Sequence, residues 1–188
     1  MFKRVLVAID MSPASIRGLK TAVEFAKDQQ AELHVMHIFD DTAVPPAIAD
    51  GDHMPALYNK MQRDNAREGA RGFLENATAM AAKEGLAVHA ILVEESGQDI
   101  AHSILAQARK MKADVIVLGT HGRRGLRRMV MGSDAEGVVR ESPVPVLLVR
   151  DTEPAKRATN SRSAMVSVAG AVAKASREPS VTSPGAPR

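Results

Sequence analysis

The chain has 188 residues, of which 45% are hydrophobic, with no cysteine and a formal net charge of +3. This length suits one globular domain with a full hydrophobic core and is too short for two domains of typical size. The absence of cysteine excludes disulfides, thiolate metal sites and thiol catalysis.

Charge and hydropathy narrow the class of protein further. Residues 151–188 hold six basic and three acidic residues, so this segment accounts for the whole net charge of +3. The preceding part is neutral overall, which argues against a nucleic-acid-binding surface. The longest apolar runs are strand-sized, and the N-terminus lacks the pattern of a signal peptide. We therefore expect a cytoplasmic protein that binds neither membranes nor nucleic acid.

The chain begins with an apolar segment, KRVLVAID (residues 3–10), which is typical of a strand buried on both faces. Ser12 and Pro13 then mark the start of a helix. A second strand, AELHVMHIF (residues 31–39), precedes the loop DDTAVPPAIADGDHMP (residues 40–55). This loop is long for a compact domain and suits a functional flap.

The remainder of the domain continues to alternate between helix and strand. A long helical pattern over residues 58–84 stops at Gly85. Further strands are predicted at residues 86–95, 113–120 and 144–150, with helices at residues 96–112 and 133–142. This alternation predicts an α/β fold, a single doubly wound, Rossmann-like sheet of five parallel strands in the order 3-2-1-4-5 with helices on both faces.

The composition changes at the end of the last predicted strand. Residues 151–188 are rich in Ser, Ala, Pro and basic residues and nearly lack large apolar side chains. Such a segment cannot form a core of its own. We therefore predict one domain over residues 1–150 followed by a disordered basic tail over residues 151–188.

In a doubly wound sheet, a ligand binds at the carboxyl ends of the strands, where the strand order reverses. With the first strand in the centre, that crevice lies between the first and fourth strands, which end at Asp10 and Gly119. A carboxylate at Asp10 suits a ribose, because it accepts hydrogen bonds from hydroxyls. The alternative is an acid that only stabilises the start of the following helix.

The segment VLGTHGRRGLRRMVMGSDAE (residues 117–136) is the sharper feature at this crevice. Glycine lets a ligand approach the backbone closely, and Gly132 with Ser133 opens a helix whose N–H groups attract phosphate. Four arginines between the glycines either neutralise a polyphosphate or form a solvated face. These are Arg123, Arg124, Arg127 and Arg128.

Part of this segment, GTHGRRGLRRMVMGS, matches the pattern Gly-x2-Gly-x9-Gly-Ser and resembles the nucleotide-binding motif of the universal stress protein family. VLVAIDMSPAS resembles the first strand of that family with its aspartate, ELHVMHIFD its second strand and SPVPVLLVR its last. The resemblance covers about residues 1–150, in the order found in the family.

The resemblance implies an ATP-binding protein, with Mg²⁺ accompanying the nucleotide. The implied contacts are Asp10 and Gly119 to the ribose, the backbone near Ala8 and Ile9 with Ile38 around the adenine, and Gly122, Gly132 and Ser133 to the phosphates. The chain departs from some ATP-bound members at Asp134, where those proteins have an uncharged residue. This acid would weaken phosphate binding unless it points outward.

The resemblance also implies a homodimer that forms through the last strand. The segment PVPVLLV would be an apolar edge of the sheet, and such an edge rarely stays uncovered. Pro143 and Pro145 limit strand pairing to the residues after them. The alternative is that these side chains pack under helices of the same subunit.

The histidines do not indicate a metal site. His34 and His37 are three residues apart in a predicted strand and therefore face opposite sides of the sheet. His89, like His53 and His102, has no supporting residues in the sequence, and no partner base is evident for His121. We therefore assign no metal ligand and no catalytic residue.

Together these features predict a nucleotide-responsive stress regulator without dedicated catalysis. There is no Gly-x4-Gly-Lys-Ser/Thr loop, no Gly-x-Gly-x-x-Gly after the first strand and no acidic pair of the receiver type. Two alternatives stay open. One is a slow Mg-dependent ATPase or autophosphorylating enzyme, and the other is an interaction scaffold that binds no nucleotide.

Overall fold

The structure is a computed structural model of the full chain and describes residues 1–40, 42, 55–95, 99–120 and 132–150. Three features predicted from the sequence lie outside these residues. The first is the predicted flap at residues 40–55, except for its two end residues and Thr42. The second is the part of residues 117–136, called the glycine segment below, that contains Gly122 and the four arginines. The third is the tail at residues 151–188.

Strands and helices alternate along the described chain, as predicted. The strands are β1 (Arg4–Ile9), β2 (Glu32–Asp40), β3 (Val88–Glu95), β4 (Val115–Gly119) and β5 (Val146–Val149). The helices are α1 (Pro13–Gln29), α2 (Pro55–Ala82), α3 (Ile100–Met111) and α4 (Ser133–Glu141). In this described part, no helix combines the length and the apolar character needed to cross a membrane.

The five strands form one parallel sheet in the order β3-β2-β1-β4-β5, which confirms the predicted topology. Val5 of β1 pairs with Leu33 of β2 on one side and with Val115 of β4 on the other. The strand order reverses between β1 and β4, because the chain moves from β1 out to β3 and then returns to the opposite side. The crevice expected at such a switch point lies between the ends of these two strands.

Helices cover both faces of the sheet, each over a separate apolar layer. On one face, strand residues such as Val5 and Leu33 pack under α1 and α2. On the other face, strand residues such as Leu6 and Met36 pack under α3 and α4. Because neighbouring residues of a central strand enter opposite layers, β1 is apolar along most of its length.

Local signals set the ends of the elements. The Ser12 hydroxyl accepts a hydrogen bond from the Ser15 amide at 3.1 Å, and Pro13 occupies the first turn of α1, as predicted. After α2, Gly85 adopts a left-handed conformation with φ of 79°. β5 begins at Val146, directly after the two prolines that limit its pairing. Each of these helix and strand ends is determined by residues that are adjacent in the sequence.

Candidate functional site

β1 and β4 end side by side at the switch point of the sheet. Ala8 pairs with Leu118 in the sheet register, so Asp10 and Gly119 lie at the same edge. Seven of the eight residues predicted to contact the nucleotide are described by the structure, and Gly122 is the one that lies outside.

The Asp10 carboxylate shapes the turn between β1 and α1. Its Oδ1 accepts a hydrogen bond from the Ser12 amide at 3.0 Å. The Asp10 amide donates to the Ser15 hydroxyl at 3.1 Å. Asp10 therefore stabilises the turn that leads into α1, which is the alternative role considered for this acid. Its half-buried side chain also lies at the edge of the sheet predicted for the ribose.

Met11, inside this turn, has a strained backbone. Its φ is 68°, in the left-handed region, and its side chain is 45% exposed. A residue other than glycine is uncommon there and costs energy unless its neighbours hold it in place. The hydrogen bonds that Asp10 makes to Ser12 and Ser15 hold the turn on both sides of Met11.

Gly119 lies directly against the start of α1. A Cβ at this position would be 2.8 Å from the carbonyl carbon of Ala14 and 2.8 Å from the amide nitrogen of Ser15. Both distances are too short for a real side chain, so the packing of β4 against α1 requires glycine here. The predicted ribose contact of Gly119 stays a prediction, and it would have to be made by the backbone.

The start of α4 is tied to the end of β4. The Gly132 amide donates to the Thr120 carbonyl at 3.0 Å, and the Thr120 amide donates to the Val149 carbonyl at 2.9 Å. Gly132 is the N-cap of α4 and provides no side-chain cap. The positive end of the helix dipole therefore lies at the same edge of the sheet as Asp10 and Gly119, which favours an anion there.

Asp134 lies beside the predicted phosphate-binding hydroxyl. Its Oδ1 is 3.5 Å from Ser133 Oγ, and both residues are exposed in the first turn of α4. The negative charge of Asp134 complements the helix dipole. The same charge would compete with a phosphate group for this helix end.

The residues predicted around the adenine divide between the two faces of the sheet. Ala8 and Ile38 are partly buried and pack against the layer under α3 and α4. The Ile9 side chain is 3% exposed and belongs to the layer under α1 and α2. A ligand at the strand ends would therefore meet Ile9 through its backbone, as the sequence interpretation supposed.

The two histidines of β2 face opposite layers of the sheet, as predicted from their spacing in the strand. His37 is 1% exposed, and its Nδ1 donates to the Ile9 carbonyl at 2.7 Å. Its ring packs edge-on against Phe73 of α2, with ring centroids 5.1 Å apart. Because a carbonyl oxygen only accepts, Nδ1 carries the proton, and the bond ties the end of β1 to β2.

His34 has partners that were not evident in the sequence. It pairs with His89 of β3 in the sheet register, and the two rings stack with centroids 4.6 Å apart. Ligand atoms of Glu32, His34 and His89 all lie within 4.8 Å of one another. The statement that His89 has no supporting residues is therefore wrong. The spacing of Glu32 and His34 was visible, but the register of β2 against β3 depends on tertiary packing.

The environment of His34 favours the neutral form of its imidazole by lowering its pKa. Burial lowers the pKa of its imidazole below the ordinary value, and His89 and Arg4 act in the same direction, whereas Glu32 raises it. Glu32 Oε2 lies 3.7 Å from His34 Nε2, which is too long for a hydrogen bond. Within the described residues, Nε2 is buried and has no hydrogen-bond partner.

The fold and the site together define a Rossmann-like α/β domain whose switch point carries an acid, a close-packed glycine and a helix start without a side-chain cap. The universal stress protein family model matches residues 1–150. The chain belongs to the universal stress protein family, in agreement with the resemblance seen in the sequence.

Individual relatives match the same part of the chain. Universal stress protein YxiE of Bacillus subtilis is 36% identical over 151 residues, which cover 80% of this chain and 100% of the relative. A solved universal stress protein family member from Burkholderia pseudomallei is 30% identical, with a TM-score of 0.59 over 79% of this chain and 96% of that one. A universal stress protein solved in complex with cAMP is 21% identical, with a TM-score of 0.54 over 79% of this chain and 97% of that one.

Proposed function

We propose that this protein binds ATP in the crevice between β1 and β4 and acts as a cytoplasmic, nucleotide-responsive stress regulator without dedicated catalysis. The supporting observation is the meeting of three features at one edge of the sheet: Asp10, Gly119 and the start of α4 at Gly132. A carboxylate suits ribose hydroxyls, and a helix start suits phosphates.

The apolar residues beside the strand ends favour a nucleotide over a simple anion. Ala8 and Ile38 offer partly buried apolar surface next to the polar groups of the crevice, a combination typical of small-molecule sites. The universal stress protein solved with cAMP supports an adenine nucleotide as the class of ligand. Mg²⁺ would accompany ATP and offset the negative charge of the phosphates, and Asp10 carries the oxygen ligands that this ion prefers.

Calorimetry with a Gly132→Val variant tests the phosphate part of the site. Gly132 has φ of −63° and ψ of 149°, a conformation open to any residue, so valine blocks the helix start without straining the backbone. We expect Gly132→Val, combined with Gly122→Val, to abolish ATP binding while the thermal unfolding transition is kept. Equal affinity of wild-type protein and folded double variant would refute the proposal. Gly72→Ala, on α2, is the control.

Two further assays separate this proposal from its alternatives. Incubation with labelled ATP detects an enzyme by turnover or by labelled protein, and loss of the signal in Ser133→Ala or Asp10→Asn would place the reaction in this crevice. A scaffold without nucleotide predicts that denatured protein releases no adenine nucleotide after purification and that none binds in calorimetry. Binding without turnover is the result that we expect.

We also propose that two copies pair through β5. Its four residues, Val146–Val149, are apolar and half-buried although β5 is an edge strand of the sheet. The carbonyl groups of Pro145 and Val149 point toward β4. Because backbone groups alternate along a strand, the Leu148 N–H points to the open edge.

Analytical ultracentrifugation tests this pairing. We expect the wild-type chain to be a dimer and Leu148→Pro, which lacks the outward N–H, to be monomeric with a thermal transition still present. A monomeric wild-type chain, or a folded Leu148→Pro dimer, would refute pairing through β5.

A further inference from the structure

A second group of ligand-type side chains lies far from the nucleotide crevice. Glu32 and His34 are two residues apart on β2 and therefore share one face, and His89 of β3 lies next to His34. His34 is level with Leu6 in the sheet, and Asp10 follows Leu6 by four residues. The group is therefore about 13 Å from the crevice along the strand direction.

We propose that Glu32, His34 and His89 form a binding site for a divalent transition-metal ion of the zinc class. Their ligand atoms already lie within 4.8 Å of one another. Two imidazole nitrogens and one carboxylate oxygen suit Zn²⁺, whereas Mg²⁺ and Ca²⁺ prefer sites made of oxygen alone. Because the chain has no cysteine, nitrogen and oxygen ligands are its only means of holding such an ion.

The buried Nε2 of His34 is the observation that points to a ligand. Among the described residues this atom has no hydrogen-bond partner, and the nearest Glu32 carboxylate oxygen, Oε2, lies 3.7 Å from it. A buried polar atom without a partner costs free energy, and native structures rarely leave one so. A metal ion between the three side chains would occupy the lone pair of Nε2.

Small rotations of exposed side chains would bring the ligands to bonding distance. The rings of His34 and His89 stack at an angle of 21°. Zinc–nitrogen bonds of about 2.0–2.1 Å place two tetrahedral ligand atoms about 3.3 Å apart, so the present separations must shorten by up to about 1.5 Å. The Glu32 side chain is 56% exposed and His89 is also exposed, so both rotate without disturbing the core. Solvent would supply the remaining ligand.

Arg4 opposes the ion and thereby gives a test with a definite sign. It pairs with Glu32 in the register of β1 against β2, so the two side chains extend from the same face of the sheet. A nearby positive charge weakens the binding of a cation. The affinity must therefore come from coordination by the imidazoles and the carboxylate, and removal of the Arg4 charge should strengthen binding.

The experiment is a calorimetric titration of metal-free, nucleotide-free full-length protein with zinc chloride. We expect one zinc ion per chain, weakened at least about tenfold in His89→Gln and in Glu32→Gln. Arg4→Gln should bind zinc more tightly than the wild-type chain. His102→Gln removes an exposed histidine on α3 outside the group and should leave the affinity unchanged.

The variants were chosen so that failure to fold does not obscure the result. His89 is an exposed residue of an edge strand, so the thermal transition of His89→Gln should match that of the wild type. In NMR spectra, zinc should shift the ring signals of His34 and His89 and leave those of buried His37 in place.

Three results would overturn the proposal. One is the absence of zinc uptake at micromolar concentration by the wild-type chain. Another is unchanged affinity in His89→Gln. The third is loss of binding in His121→Gln instead, which would assign the ion to the glycine segment.

Discussion

Gly119 of β4 and Ser15 of α1 approach each other so closely that a Cβ on Gly119 would lie 2.8 Å from the Ser15 amide nitrogen. Ser15 also accepts a hydrogen bond from the Asp10 amide through its hydroxyl. The close contact therefore connects the ends of β1 and β4 with the start of α1. It gives Gly119, the first glycine of the predicted nucleotide-binding motif, a packing role in addition to any role in binding.

Replacement of Gly119 by alanine should destabilise the protein. The added methyl group would meet backbone atoms, which cannot move aside as a flexible side chain can, so we expect a loss of about 1–3 kcal/mol in the free energy of unfolding. Denaturant titration followed by circular dichroism measures it. Gly18→Ala is the matched control, because its Cβ would be 3.5 Å from the nearest atom, an ordinary contact. Equal stability of the two variants would contradict this prediction.

Two glycines on α2 should be replaceable with a gain in stability. A Cβ at Gly69 or Gly72 would meet nothing within 4 Å. Alanine restricts the unfolded chain and favours the helix, so each substitution should add about 0.5–1 kcal/mol to the free energy of unfolding. Gly85→Ala should instead be destabilising, because Gly85 has φ of 79°. A fall in melting temperature for Gly69→Ala would disprove the prediction.

Asp114 should stabilise the start of the sheet in a pH-dependent manner. Its Oδ2 accepts hydrogen bonds from the amides of Lys3 and Arg4, both at 2.8 Å. These bonds hold the pKa of Asp114 below its ordinary value. We expect Asp114→Ala to cost about 1 kcal/mol at pH 7, a modest value because the carboxylate is partly exposed to solvent.

The sign of the pH dependence follows from the lowered pKa. The contribution of the ionised Asp114 is complete above the unfolded value of 3.8 and is lost as the pH falls through the lower folded value. The difference in free energy of unfolding between wild type and Asp114→Ala should therefore narrow in acid. Urea titrations at several pH values measure it, with Asp114→Asn as a variant that keeps an acceptor oxygen. A difference that widens in acid would contradict this assignment.

If the proposed ATP site is right, Asp134→Asn should bind ATP more tightly. The carboxylate lies 3.5 Å from Ser133 Oγ at the helix start, where it repels a phosphate. We expect a gain of about two- to fivefold in affinity, which corresponds to about 0.4–1 kcal/mol. Salt should reduce the gain, because the interaction is exposed to solvent. Glu141→Gln, at the other end of α4, is the control, and weaker binding by Asp134→Asn would show that the acid assists the ligand.

Local patterns in the sequence were sufficient to predict most of the fold. The apolar run of β1, the Ser12 cap followed by Pro13, and the prolines before β5 each depend on residues that are neighbours in the chain. Such signals can be read directly, because one helical turn or one short strand contains all the atoms involved. The alternation of strands and helices also predicted a parallel, doubly wound sheet, and the strand order predicted for it is the order observed.

The site was only partly predictable. The position of Asp10, Gly119 and Gly132 at one edge of the sheet follows from the topology, which the sequence indicated. The strained turn at Met11 could not be predicted from the topology, because its φ of 68° is held by hydrogen bonds on either side of it. The 3.5 Å contact between Asp134 Oδ1 and Ser133 Oγ also required coordinates, since the side chains of neighbouring residues in a helical turn can point apart.

The sequence by itself therefore determined the family, the parallel α/β sheet and the edge at which a ligand would lie. Tertiary structure alone decided why Gly119 must be glycine and that His34 meets His89. Both facts concern atoms brought together from distant parts of the chain. Strand register and the close approach of a helix to a strand arise from the packing of the whole domain, and no short stretch of sequence contains them.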